Sequence, residues 1–210
     1  MKLTELILMG GGSHARVLID GLTLLRTTPT GIIDPNLKIG SEILGVPVID
    51  PKALLQKPLR QVSLVNGLGG AHSCGPRNDL FSFYLSKGYR FQGLLHPRAL
   101  VSQHSQIHES AQVMAGVVIQ TNARIFQNCL INTSAVIEHD CHLEAGSFVG
   151  PGAVLCGNVK VSAGAFVGAG AVVLPGLKIC AGATVGAGSV VTQDVNEPIT
   201  VVGIPARRIH

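Results

Sequence analysis

Aliphatic residues return at every sixth position over nearly half of this 210-residue chain: sixteen places from Val101 to Val191, in steps of six, hold only Val, Ile or Leu. An amphipathic helix cannot carry that rhythm, because a six-residue step does not keep one helical face in register. A fixed six-residue period headed by an aliphatic predicts the hexapeptide form of parallel β-helix, a coil whose flat faces are short strands. Two places before most of these aliphatics stands a small residue, as at Ser105, Ala111, Ala123, Ala135, Ser147, Ala153, Ala165, Ala171, Ala183 and Ser189. The aliphatic points inward and the small residue fills the tight interior near each corner. Gly116, Asn122, Asn128, Gly146, Gly152, Asn158, Gly164, Gly170, Gly176, Gly182 and Gly188 fall at the place where a corner needs a backbone with positive φ. With three faces per coil, about eighteen residues make a rung and the stretch encodes about five rungs. No long loop leaves the coil, so a site must use its surface, a cleft between copies, or the preceding segment.

Residues 1–95 follow another pattern. Leu6 to Met9 reads as an apolar strand, Gly10 to His14 as a turn, and Ala15 to Leu25 as a helix with Val17, Leu18, Leu22 and Leu25 at helical spacing. A second strand ends at Gly31-Ile32-Ile33-Asp34-Pro35, a third runs from Val62 to Val65, and Asp79 to Ser86 forms another helix. Alternation of this kind predicts a small parallel sheet of the doubly wound, Rossmann-like sort, with ligands at the carboxyl ends of its strands. Gly10, Gly12, Ser13, His14, Asp34 and Pro35 all fall there. Backbone N–H groups at the start of the helix attract phosphate, and Asp34 is placed to accept from a ribose or base donor. The same glycines also serve any tight turn. Ala15 occupies the third glycine place of a GxGxxG fingerprint, which disfavours a nicotinamide dehydrogenase. The chain thus divides into a nucleotide-binding segment at 1–95, a β-helix at 96–195 and a tail at 196–210.

Composition narrows the class. Only 13% of residues are charged, 26 are glycine and none is tryptophan, which suits a densely packed solenoid. A net charge of +4 without a Lys/Arg block favours a solvated surface over nucleic-acid binding. Five cysteines without CxxC spacing point to neither a disulfide framework nor a zinc knuckle, and so to a reducing compartment. Leu3 to Met9 is interrupted by Glu5 and does not read as a secretion signal; no apolar run reaches bilayer length. The expected setting is the cytoplasm, with no membrane partner.

Seven segments together resemble the sialic-acid and bacillosamine branch of the hexapeptide-repeat acetyltransferases of bacterial surface-sugar biosynthesis. They are Gly10 to Val17 (GGGSHARV), Gly31 to Pro35 (GIIDP), His96-Pro97, Ile131 to Cys141 (INTSAVIEHDC), Pro151-Gly152-Ala153, Gly157-Asn158-Val159 and Gly203 to Ala206 (GIPA). The likeness covers nearly the whole chain. It implies a left-handed coil, a homotrimer with active sites between subunits, acetyl-coenzyme A as cosubstrate without a metal, and a nucleotide-linked amino sugar as acceptor, a 4-amino sugar favoured. His139 matches the family's general base and Asp140 its acidic partner, while Asn132 matches a residue lining the active site. An imidazole, with a pKa near ~6.5, can take the proton an attacking amine must lose. Neighbours on a straight strand face opposite ways, so pairing His139 with Asp140 demands a corner.

By the same resemblance coenzyme A runs past Phe148, Gly157, Gly168, Ala169 and Ala187, although glycine and alanine are also what the repeat itself needs. Phe148 departs from the family, which often carries a second histidine there; its loss leaves backbone N–H groups as the source of oxyanion contact. Arg77, at the start of a helix, is a candidate for the nucleotide, and Arg207-Arg208 for adenosine phosphates or a solvated tail. Sugar O-acetylation stays open, as does a non-catalytic nucleotide-sugar-binding protein. A zinc lyase would need three histidines from adjacent subunits; His104 and His139 lie about two rungs apart, but no third ligand follows.

Overall fold

The computed structural model describes residues 5–70 and 73–209. Four parallel strands open the chain, in the spatial order Gly31–Ile33, Glu5–Met9, Val62–Asn66, Arg90–Phe91. Strand order reverses between Glu5–Met9 and Val62–Asn66, and Gly10 and Gly67 follow directly from their carboxyl ends. The helix Ser13–Leu24 buries Ala15, Leu18, Ile19 and Leu22 and exposes the opposite side. His14, expected in the turn, belongs to its first turn instead. A second helix, Gly75–Ser86, starts four residues before the expected boundary because Pro76 is compatible with a first helical turn. Among the described residues no helix is long and apolar enough to cross a membrane.

The six-residue pattern becomes a parallel β-helix. Each of the sixteen aliphatics closes a two-residue strand, from Leu100–Val101 to Val190–Val191. Strands pair with the next coil eighteen residues on, as Val136 with Val154 and Ile137 with Leu155. Three stacks result, of eight, six and five strands including their end pieces, all parallel except the last strand of the first. The inward aliphatics from Ile131 to Val185 are fully buried, and so are Ala135, Ala153, Ala165, Ala171 and Ala183. Cys129 and Cys141 occupy the same small inward place, and all five cysteines are free. Burying a Val, Leu or Ile side chain is worth about 1.5–3 kcal/mol, so the repeat is held mainly by this stack. Positive φ recurs every sixth residue from Gly116 to Gly188, and Ser134 and Asp140 adopt it where glycine is absent.

About six turns form, one more than expected. One step before the first aliphatic, Leu94–Leu95 already pairs with Gln112–Val113. At the far end the coil tightens: Val185 faces Val201, sixteen residues on, and Arg207–Arg208 folds back antiparallel on Thr200–Val202.

The N-terminal sheet and helices sit on one face of the prism. Outward residues on that face form the column Leu94, Gln112, Leu130, Phe148, Phe166. Leu94, Gln112, Leu130 and Phe148 are all buried beneath the N-terminal segment. The next face, with Leu100, Val118, Val136, Val154, Val172 and Val190 pointing outward, has only aliphatic side chains, partly or fully exposed.

Candidate active site

Site residues collect at two edges of the prism. One edge carries His139 and Asp140, at the corner after strand Val136–Ile137. Asp140 has φ +60°, a left-handed conformation that Asp tolerates better than most residues. That bend brings neighbouring side chains to the same side, and His139 Nδ1 stands 2.8 Å from Asp140 Oδ2. The other carboxylate oxygen accepts from Asn122 Nδ2, one coil earlier, at 3.3 Å. Both hydrogen bonds, that to His139 first, hold the Asp140 carboxyl below its usual range. The carboxylate fixes Nδ1 as the protonated nitrogen, which leaves Nε2 with a lone pair. Both side chains are more than half or half exposed, at 58% and 50%.

Gly157 lies one coil above, and a β-carbon there would stand 2.5 Å from His139 Nε2. The next residue, Asn158, donates its N–H to the His139 carbonyl at 2.8 Å. A bare backbone therefore borders the one nitrogen able to accept a proton.

Asn132 is not beside His139. It occupies the preceding edge with Thr133, whose N–H donates to Asn132 Oδ1 at 2.8 Å. Gly168, Ala169 and Ala187 lie on this same edge in later coils, where Gly168 has no room for a side chain against the backbone of Gly186 and Ala187. The apolar strand face separates the two edges by roughly 17 Å, taking five residues at about 3.3 Å each. Within one chain Asn132 instead meets the N-terminal segment: a cleft of about 450 Å³ is lined by Ser13, His14, Val17, Gly69, Gly70, Asn132 and Thr133.

The walls of that cleft are built tightly. Gly10, at φ +100°, follows the first strand, and an added side chain there would meet Leu68. Gly12 precedes the helix Ser13–Leu24 with no side-chain cap, so no side chain pairs with the first helical N–H groups, and Ser13 and His14 of that first turn line the cleft. Asp34 accepts from Gly11 N–H at 2.7 Å and from Asn36 N–H at 2.8 Å. Its carboxylate holds the glycine turn, a structural duty beyond the expected ligand contact; Pro35 beside it is exposed. His14 Nε2 lies 2.9 Å from Gln112 Oε1, and burial holds the imidazole down to about 4.

Arg77 and Phe148 stand elsewhere than the sequence suggested. Arg77 is 1% exposed and donates to the carbonyls of Asn66, at 3.3 Å, and Leu68, at 2.6 Å. It pins the loop after the third strand from beneath and does not face the cleft, which corrects its assignment as a nucleotide ligand. Phe148 is likewise covered: it stacks on Phe166 with ring centroids 4.5 Å apart, and Gly70 packs against its ring. Contact with a cofactor at His139 is closed to it within the chain. Sequence reasoning missed Gln112, a lone polar residue in the outward column of Leu94, Leu130 and Phe148. Reading that column at eighteen-residue spacing would have exposed it. Among the described residues no group of three or more His, Cys, Asp or Glu gathers into a metal site.

No family model and no curated protein matches the chain. Solved structures do. PerB from Caulobacter crescentus, crystallised with CoA and GDP-perosamine, is 36% identical over 98% of this chain and 97% of its own, with a TM-score of 0.89. The chain belongs to the hexapeptide-repeat nucleotide-amino-sugar N-acetyltransferases. It is accordingly an acyltransferase. Another similar structure is the acetyltransferase domain of PglB from Neisseria gonorrhoeae, solved with acetyl coenzyme A; it is 29% identical over 99% of this chain and 100% of its own, with a TM-score of 0.89. WeeI from Acinetobacter baumannii AYE, 24% identical over 98% of this chain and 99% of its own, shares the fold at a TM-score of 0.87.

Proposed function

We propose that this acyltransferase moves an acetyl group from acetyl-coenzyme A to the amino group of a nucleotide-linked sugar, a 4-amino sugar favoured, in the cytoplasmic synthesis of a bacterial surface glycan. The observation that carries the reading is the exposed His139 imidazole, held at Nδ1 by Asp140 with Nε2 beside bare Gly157. The amine nitrogen attacks the thioester carbonyl carbon while its proton passes to His139 Nε2. The C–S bond then breaks, and coenzyme A leaves as the thiol once it takes that proton. Asp140 orients the ring and stabilises the imidazolium. Backbone N–H groups beside Gly157 meet the oxyanion, a role consistent with the covered position of Phe148.

The nucleotide-sugar enters the cleft beside Ser13, with phosphates toward the uncapped helix at Gly12. Pantetheine runs along the edge of Gly168, Ala169 and Ala187, where small residues allow close approach. Because the two edges lie apart in one chain, cleft and base meet only if a second copy presents its His139 edge. The aliphatic face between them supplies the surface to bury, and a left-handed homotrimer satisfies both needs. In this division residues 1–95 hold the nucleotide, 96–195 the donor and base, and 196–210 form the tail that closes the coil. PerB, with CoA and GDP-perosamine bound, supports the choice of both substrates.

The test is thiol release from acetyl-coenzyme A against a panel of nucleotide-linked 4-amino sugars, with the parent chain and His139→Ala. Turnover on one amine, reduced by about two to four orders of magnitude in the variant, is the expected result. Activity only on hydroxyl acceptors would replace the reading with O-acetylation. Tight nucleotide-sugar binding with no acyl acceptor at all would leave a binding protein.

A further inference from the structure

Gln112 belongs to the first coils of the β-helix, ninety-eight residues from His14, yet their side chains meet at 2.9 Å. The orientation of the Gln112 amide is settled by its other end. Its Nε2 lies 2.8 Å from the carbonyl oxygen of Asn66, which only accepts, so that end is the NH2 group. Oε1 is therefore the atom facing His14, and it too only accepts. His14 Nε2 must carry a hydrogen, and in the neutral ring Nδ1 must then be a bare lone pair. Nδ1 has no partner among the described residues, and His14 lines the 450 Å³ cleft. Asn66 is itself immobilised: its Nδ2 donates to the Arg77 carbonyl at 2.9 Å and to Asn128 Oδ1 at 3.1 Å, and its Oδ1 accepts from Leu68 N–H at 3.2 Å. Burial disfavours the imidazolium, which would turn Nδ1 into a donor.

We infer that Gln112 is a positioning residue that locks His14 in the Nε2–H tautomer, giving the cleft a fixed acceptor at Nδ1 that selects a hydroxyl or N–H donor on the sugar of the bound nucleotide-sugar. This rests on the cleft being the nucleotide-sugar site. A site built to pair with one donor discriminates against ligands lacking it, because an acceptor that the bound sugar covers is then left unsatisfied.

The full-length chain, 15N-labelled at histidine, reports the tautomer through its ring nitrogen shifts, with His14→Gln assigning the resonances. GDP-perosamine is the first probe, with GDP alone as the control that lacks the amino sugar. In the parent chain His14 should show Nε2–H, and adding GDP-perosamine should shift Nδ1. Gln112→Met should release the lock, giving mixed tautomers, and raise the Kd for GDP-perosamine by about five- to twentyfold while kcat at saturation changes less than about twofold. Affinity for GDP should be unmoved. His14→Gln keeps an amide where Nε2 was, removes the acceptor, and should lose similar affinity; the double variant should lose no more than either single one. An unchanged tautomer in Gln112→Met, a Nδ1–H form in the parent, or additive losses would overturn the inference with the cleft assignment intact. Normal turnover with His14 shifts that GDP-perosamine does not move would overturn the cleft assignment and the inference with it. Failure of UDP-, dTDP- and GDP-linked amino sugars alike to bind would count against both.

Discussion

The α-carbon of Gly157 faces the His139 imidazole so closely that a β-carbon on it would stand 2.5 Å from Nε2. Gly157 is not among the residues with positive φ, so its backbone accepts any side chain; only the ring opposite forbids one. An added methyl displaces an exposed side chain, which costs the fold little but parts the ring from Asp140. Gly157→Ala should therefore lower kcat by about two orders of magnitude while the melting temperature moves by no more than about 2 °C. Paired thermal melts and thiol-release assays check this, and full activity in a folded Gly157→Ala protein would detach Nε2 from the chemistry.

Asp140 offers a graded test of the same pair. Asp140→Asn keeps the size and the positive-φ backbone, since Asn is at home in that conformation, but withdraws the charge that stabilises imidazolium. Its rate should fall by about ten- to a hundredfold, less than in His139→Ala, with little change in KM. Equal losses in the two variants would mean that Asp140 does more than orient and stabilise; no loss would mean that it does neither.

Acid sensitivity should trace to His14. Its pKa in the folded chain, lowered to about 4 by burial with a further contribution from the charge of Arg77, lies below the ~6.5 of an unfolded imidazole. The unfolded state then binds the extra proton between those values, so stability is complete above pH ~6.5 and is lost as pH falls toward 4. At pH 5 the loss from this group is about 2 kcal/mol. Urea midpoints at pH 7.5 and pH 5 should converge in a His14→Gln protein and separate in the parent. An identical pH dependence in both would remove His14 as the cause.

What could be read directly from the chain follows the reach of each interaction. The coil is legible because every aliphatic, small residue and corner is specified within six residues, so one face of the pattern is enough to infer all three. The His139–Asp140 contact is equally local, since a corner is the only backbone that lets adjacent side chains meet. Six turns instead of five went unread because Leu94–Leu95 adds a strand one step before the counted aliphatics, and because the last coil shortens to sixteen residues between Val185 and Val201, which breaks the ruler. Arg77 and Phe148 misled for a different reason. Their positions depend on which face of the prism the N-terminal segment covers, and no local pattern records that choice. The link from His14 to Gln112 depends on the same docking and is illegible on the same ground.

The aliphatic column from Leu100 to Val190 runs between the two edges of the site. Six apolar side chains stacked at about 4.8 Å intervals make a continuous, at least partly exposed stripe bounded by the two edges that hold Asn132 and His139. A charge in its centre is tolerated by an isolated coil, where the side chain faces water, but not by a packed interface, where it would be buried unpaired. Val154→Glu should accordingly leave the far-ultraviolet spectrum unchanged, convert the proposed trimer to monomer by sedimentation, and reduce turnover by about a hundredfold or more, since each cleft would lose the base of its neighbour. Mixing provides the sharper criterion. A trimer reassembled from His139→Ala chains and chains whose cleft is blocked by Ser13→Trp should regain part of the activity, because some clefts then combine an open wall from one parent with an intact base from the other. Absence of any regained activity in proven mixed trimers, or full activity in a monomeric Val154→Glu protein, would place cleft and base within the same chain and overturn the division of the site between copies.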